Sequence, residues 1–98
     1  MINVARLFGP KTDFSDLIRK GALVIDVRTR EEFYGGHYPG SENIPLDDIM
    51  QRLQDIKEKQ KPVIAVCRSG ARSSVATEIL RKAGLQVYNG GPWTSLSK

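Results

Sequence analysis

The chain has 98 residues, 40% hydrophobic and 27% charged, the proportions of one soluble globular domain whose core needs no covalent staple. One cysteine and one histidine exclude an intrachain disulfide framework and leave too few soft ligands for a structural zinc site, so neither metal nor cofactor is expected. No apolar stretch approaches the ~20 residues needed to cross a bilayer, and the +4 net charge is dispersed among acids, which speaks against nucleic-acid and membrane partners and for attraction of a small anion.

Met1 to Pro10 lack the apolar core of a signal peptide, which makes a reducing cytoplasm the expected compartment. Residues Met1 to Gly9 fit a short arm or edge strand of a single domain spanning residues 1–98. Asp13 to Lys20 reads as a first helix, with Phe14, Leu17 and Ile18 on one face, Thr12 or Asp13 as cap and Gly21 as stop. Ala22 to Val27 is a continuous apolar run around Asp26, the pattern of a strand buried on both faces. Glu31 to Tyr34 makes a helical turn, Gly35 to Gly40 carries turn chemistry, and Ser41 to Ile44 suits a short strand. Pro45 opens a helix predicted to run to about Gln60, with Leu46, Ile49, Met50, Leu53 and Ile56 as a core stripe. The cluster Lys57, Lys59 and Lys61, broken by Glu58, reads as its solvated end. Val63 to Val66 is the second clear strand. The next helix begins at Arg72 or Ser73, buries Val75, Ala76, Ile79, Leu80 and Ala83, and closes at Gly84. Leu85 to Tyr88 is the last strand, and a short tail carries Trp93 and Leu96. Strands alternating with helices predict an α/β domain with a largely parallel sheet.

Cys67 ends the second apolar run and is followed by Arg68-Ser69-Gly70-Ala71-Arg72 and then a helix start. Ligands of an open parallel sheet bind beyond the carboxyl ends of its strands. A thiol placed there meets the amides of a tight loop and a helix N-terminus, and with Arg68 and Arg72 these favour the thiolate, which is the nucleophile. Gly70 permits the tight curvature. A ring of N–H donors stabilises an anion without a side-chain base. A protease-like pairing of Cys67 with His37 has no third, orienting residue, and the loop already accounts for activation.

Cys67-Arg68-Ser69-Gly70-Ala71-Arg72 resembles the six-residue active loop of rhodanese (thiosulfate sulfurtransferase) domains. Asp26 to Phe33, then Gly36 to Ser41 and Asn43 to Leu46, are similar to that family's upstream signature, and Tyr88 to Trp93 to its Gly-Gly…Trp close. The three stretches stand in the family's order. The resemblance implies a rhodanese-like three-layer α/β fold, with a small, mostly parallel sheet flanked by helices. It also implies a sulfurtransferase in which Cys67 takes a sulfane sulfur from thiosulfate or a similar donor as a persulfide and passes it to cyanide or a thiol. A protein acceptor fits the same role. Carried over, Cys67 is the nucleophile, Arg68, Ser69, Gly70, Ala71 and Arg72 bind the donor, and Arg72 also closes the loop. Asp26, Arg28 and Glu32 are support residues, with an Arg28–Glu32 ion pair and a loop-bracing Asp26. His37 is read as turn packing and Trp93 as cover for the core edge. The chain departs from the family pattern in Pro92, in a very short C-terminal helix and in the length of its first edge strand.

Two other readings share part of this pattern. Phosphatases and arsenate reductases of the Cys-x5-Arg type also cradle an oxyanion on a cysteine, but Cys67 and Arg72 enclose four residues and Val66 stands where those phosphatases commonly carry His. A non-catalytic rhodanese-like binding module would be expected to lack the cysteine.

Overall fold

The computed structural model describes residues 13–97, so the Met1–Gly9 arm and the Thr12 cap lie outside the described residues. Four strands, β1 (Leu23–Asp26), β2 (Glu42–Asn43), β3 (Val63–Cys67) and β4 (Val87–Pro92), form an all-parallel sheet in the order β2-β1-β3-β4. The helices are α1 (Phe14–Arg19), α2 (Arg30–Tyr34), α3 (Leu53–Glu58) and α4 (Ala71–Lys82), with 3-10 turns at Leu46–Asp48 and Trp93–Ser97.

Side-chain alternation along β1 and β3 divides the core into two layers. Ile25, Val63, Ala65 and Cys67 face Ile56 of α3 and Ala76 and Leu80 of α4. Val24, Ile64 and Val66 face the opposite way, onto Phe14, Leu17 and Ile18 of α1 and onto Trp93 and Leu96. The sheet is therefore covered on both sides, as a parallel sheet must be. This is the three-layer α/β arrangement read from the sequence. Asp13 caps α1 by accepting the Asp16 amide at 3.1 Å, and Gly21 takes the left-handed conformation that ends the turn, at φ 99°.

Three sequence expectations need correction. The helix from Pro45 to Gln60 is broken into a 3-10 turn and the short α3. Asp47 and Asp48 are weak helix formers, and the Leu46 amide is drawn to Val27 O at 3.0 Å. At three residues per turn Leu46 and Ile49 still share a face, whereas Met50 rotates outward and is 66% exposed. In α4 the buried residues are Ser73, Ala76, Thr77 and Leu80, and Val75 is exposed. Polar Ser73 and Thr77 tolerate burial because Thr77 Oγ1 donates to Ser73 O and Ser73 Oγ is bonded inside the site described below. Finally, β4 does not stop at Tyr88 but runs on through the two glycines to Pro92, opposite Cys67.

That extension includes a bulge. Ala65 pairs with Asn89 and Val66 with Gly91, leaving Gly90 as the extra residue. A Cβ at Gly90 would lie 2.8 Å from both Ile64 Cγ2 and Val66 Cγ1, so only glycine fits without displacement. The bulge sets Asn89 and Gly91 against the loop that follows Cys67.

Candidate active site

Asp26 and Cys67 end adjacent parallel strands, with Asp26 registered to Val66. Two loops leave this edge of the sheet. One runs into α2, where Thr29 and Glu32 form a reciprocal capping box. The other, Arg68 to Gly70, turns into α4 with Gly70 as its N-cap at φ 100°. A Cβ on Gly70 would sit 3.4 Å from Gly91 Cα, so the two glycines let the loop lie close on the end of β4.

Cys67 is fully buried at the floor of this loop. Its Sγ accepts the Gly70 amide at 3.0 Å and the Ser73 amide at 3.4 Å, and lies 3.3 Å from Ser73 Oγ. Burial, the largest single influence, pushes the thiol pKa up. The Ser73 hydroxyl and the amides of Ser73, Gly70 and Ser69 together outweigh it, so the net displacement is downward. Among the described residues the Arg68, Ala71 and Arg72 amides make no hydrogen bond to Sγ itself.

Ser73 and Asn89 join the site although no motif in the sequence marks them. Ser73 Oγ lies 2.6 Å from Asn89 Oδ1 and 3.1 Å from Gly70 O, while Asn89 also accepts the Gly91 amide and donates to Gly70 O. The hydroxyl has one proton and several acceptors. Beside a thiol it donates to Asn89, and beside a thiolate it can turn to sulfur. The only signal in the sequence was position, a serine one turn into a helix after a cysteine loop and an asparagine just before a glycine pair.

The arginines are partnered differently from the sequence expectation. Arg28 does not pair with Glu32. Its guanidinium folds back onto the fully buried Asp26, with Nε to Oδ1 at 2.9 Å and Nη2 to Oδ2 at 2.7 Å, and Nη2 also donates to Gly36 O. Asp26 further accepts the Arg28 amide, which ties β1 to its following loop. Trp93 lies against Arg28, its ring centroid 5.0 Å from the guanidinium carbon, and covers the Val24–Ile64–Val66 layer. Glu32 instead grips Arg72 in a two-pronged pair, 2.7 Å and 2.9 Å. The Arg72 guanidinium, with the Thr29 amide and hydroxyl, holds the Glu32 carboxyl down at about 2. Arg68 is exposed and makes no hydrogen bond or ion pair among the described residues. His37 places Nδ1 2.8 Å from Phe33 O and stacks on the Phe33 ring, which is turn packing.

No group of three or more metal-ligating side chains occurs among the described residues. No helix there is long and apolar enough to cross a membrane. A depression of about 110 Å³ lies beside the site, lined by Val27, Thr29, Pro45, Leu46, Asp47 and Arg72. A hollow of about 250 Å³ opens at the far, amino end of the strands, by Pro62 and Gln86.

The model of the Rhodanese-like domain matches residues 11–92. The chain is similar to YqhL, an uncharacterised protein of Bacillus subtilis, at 45% identity over 69 residues, covering 69% of this chain and 54% of that one. It is similar to the tRNA sulfurtransferase of Thermoplasma acidophilum at 31% identity, over 80% of this chain and 16% of that enzyme. The chain thus spans about half, or much less, of the length of these relatives. Among solved structures, human single-domain sulfurtransferase TSTD1 is similar with a TM-score of 0.67 and 29% identity, over 87% of this chain and 90% of that one. A cysteine loop at the carboxyl edge of a four-stranded parallel sheet, and a family match covering most of the residues, lead to one conclusion: the chain belongs to the rhodanese-like family, which it shares with sulfurtransferases.

Proposed function

We propose that the chain is a sulfurtransferase that carries sulfur as a persulfide on Cys67. The observation that carries this reading is the buried thiol whose anion is favoured by the Ser73 hydroxyl and by backbone amides, with no side-chain base beside it among the described residues. The Cys67 thiolate attacks the outer sulfur of thiosulfate or a similar sulfane donor. A new S–S bond forms, the donor's S–S bond breaks, and sulfite leaves with the electron pair. Cyanide or an acceptor thiolate then attacks the terminal sulfur of the persulfide, and the Cys67 thiolate is the leaving group. No net oxidant or cofactor enters either half-reaction.

In this reading the loop Arg68 to Arg72 receives the donor, with Arg68 as the exposed cation, while Arg72 braces the loop through Glu32. Asp26 and Arg28 support it from β1. A thiolate chemistry of this kind suits a reducing, cytoplasmic setting. A protein acceptor is in keeping with relatives in which the matched region is a small part of a larger enzyme. The four-residue spacing between Cys67 and Arg72 suits one added sulfur atom better than a tetrahedral phosphoryl group.

Paired initial rates on one preparation test the proposal. Thiocyanate should form from thiosulfate and cyanide, an aryl phosphate should be left intact, and Cys67→Ser should abolish transfer. Good turnover of the aryl phosphate without thiocyanate would reverse the assignment.

A further inference from the structure

Asn89 Oδ1 accepts the Gly91 amide at 2.9 Å and Asn89 Nδ2 donates to Gly70 O at 3.2 Å, and these two bonds fix which end of the side-chain amide is oxygen. An amide oxygen only accepts, so the hydroxyl is the donor in the 2.6 Å contact between Ser73 Oγ and Asn89 Oδ1. Ser73 has one proton for three acceptors: Asn89 Oδ1, Gly70 O at 3.1 Å and Cys67 Sγ at 3.3 Å. The shortest contact holds it. With the proton on that side, Ser73 Oγ turns a lone pair toward Sγ, which suits a thiol and opposes a thiolate. A persulfide carries its charge on the terminal sulfur. Its bridging Sγ is a weak acceptor that does not draw the hydroxyl away from Asn89. Charge returns to Sγ only as an acceptor removes the terminal sulfur, and the hydroxyl must then leave Asn89 to meet it.

We propose that Asn89 is a positioning residue for the second half-reaction: by holding the Ser73 hydroxyl off Cys67 Sγ while sulfur is carried, it slows departure of the Cys67 thiolate and lengthens the life of the persulfide. This rests on the sulfurtransferase reading and refines it. In the step concerned, cyanide bonds the terminal sulfur, the Sγ–S bond breaks, and its electron pair stays on Sγ. A thiol leaves faster the lower its pKa, so the discharge rate and the thiol pKa should move together.

Two readouts on the full chain test this: thiolate absorbance against pH, and single-turnover release of thiocyanate when protein loaded with thiosulfate and freed of excess donor meets cyanide. Asn89→Ala removes the hold, with Gly70 O remaining as a weaker competitor for the proton. It should lower the thiol pKa by about half a unit and speed discharge about twofold. Asn89→Asp puts a stronger, charged acceptor in its place and should raise the pKa by about one unit and slow discharge at least threefold. Both variants lose the Nδ2 bond to Gly70 O, so a residue that only braces the loop would move both the same way. In a Ser73→Ala background Asn89→Ala should leave the pKa unchanged, and the Asn89→Asp shift should shrink to its direct repulsion of the thiolate. The charged pairs of the neighbouring elements, Arg72–Glu32 and Arg28–Asp26, stay in place throughout, as does Arg68. Shifts of the same sign in the two variants, or shifts that survive undiminished without the Ser73 hydroxyl, would overturn the proposal. So would equal discharge rates in wild type and both variants. A wild type that takes up no sulfur would instead fail the sulfurtransferase reading, and this refinement with it.

Discussion

Ser73→Ala removes the one side-chain hydroxyl that lies beside Cys67 Sγ among the described residues and should raise the thiol pKa by about one unit. A hydrogen bond to a charged group contributes about 1.5–3 kcal/mol. Here the hydroxyl must leave a 2.6 Å contact with Asn89 to serve a sulfur 3.3 Å away, which places the net effect at the low end of that range. About 1.4 kcal/mol corresponds to one pKa unit. The amides of Ser69, Gly70 and Ser73 stay in place, as does the penalty of burial. No buried group is orphaned, because Asn89 Oδ1 keeps the Gly91 amide and Gly70 O keeps Asn89 Nδ2. The fold should therefore lose only about 1 kcal/mol. Because the folded thiol titrates below the unfolded one, its anion adds stability above the unfolded pKa, and that stability is lost as pH falls through the folded pKa. Ser73→Ala narrows this window. Thiolate absorbance against pH measures the pKa directly, with Cys67→Ser as a blank that has no cysteine. An unchanged pKa in a folded Ser73→Ala protein would refute the role assigned to the hydroxyl.

Glu32, held at about 2 against an ordinary 4.5, adds stability that is complete above the ordinary value and lost as pH falls toward the folded one. Glu32→Gln should flatten the acid limb of Tm against pH, and parallel acid limbs would count against the Arg72 pair. Asp26→Ala leaves the Arg28 guanidinium buried and unpaired, and urea titration should show a loss of about 3–5 kcal/mol. Asp26→Leu/Arg28→Met should recover most of it, and a loss below about 1 kcal/mol in the single variant would mean the pair is not desolvated. Gly90→Ala forces a Cβ to within 2.8 Å of Ile64 and Val66 and should cost about 1–3 kcal/mol, whereas an unchanged urea midpoint would show that the bulge relaxes freely.

The sheet and the cysteine loop were legible because their signals are local. Apolar runs, a glycine at a left-handed turn and an N-cap before a helix each act within a few residues of themselves. The arginine partners were not legible for the opposite reason. Arg28 and Glu32 have the spacing of a helical pair, but Arg28 precedes the helix and its side chain folds back onto Asp26. The true partner of Glu32 is forty residues away, brought close only by the parallel pairing of β1 and β3. Asn89 reaches Gly70 through a bulge whose cause is a glycine pair in an edge strand, and nothing in strand periodicity announces it. Met50 fitted an α-helical stripe, and a 3-10 turn turned it outward.

In the proposed reaction Cys67 carries a single transferable sulfur. Intact mass of the protein after exposure to a sulfane donor is the decisive measurement, because Cys67 is the only cysteine and any adduct on a thiol must be there. The expected result is a gain of one sulfur atom, its removal by cyanide with formation of thiocyanate, and no gain in Cys67→Ser. A wild-type mass that does not change with donor, or an adduct that persists in Cys67→Ser, would contradict it.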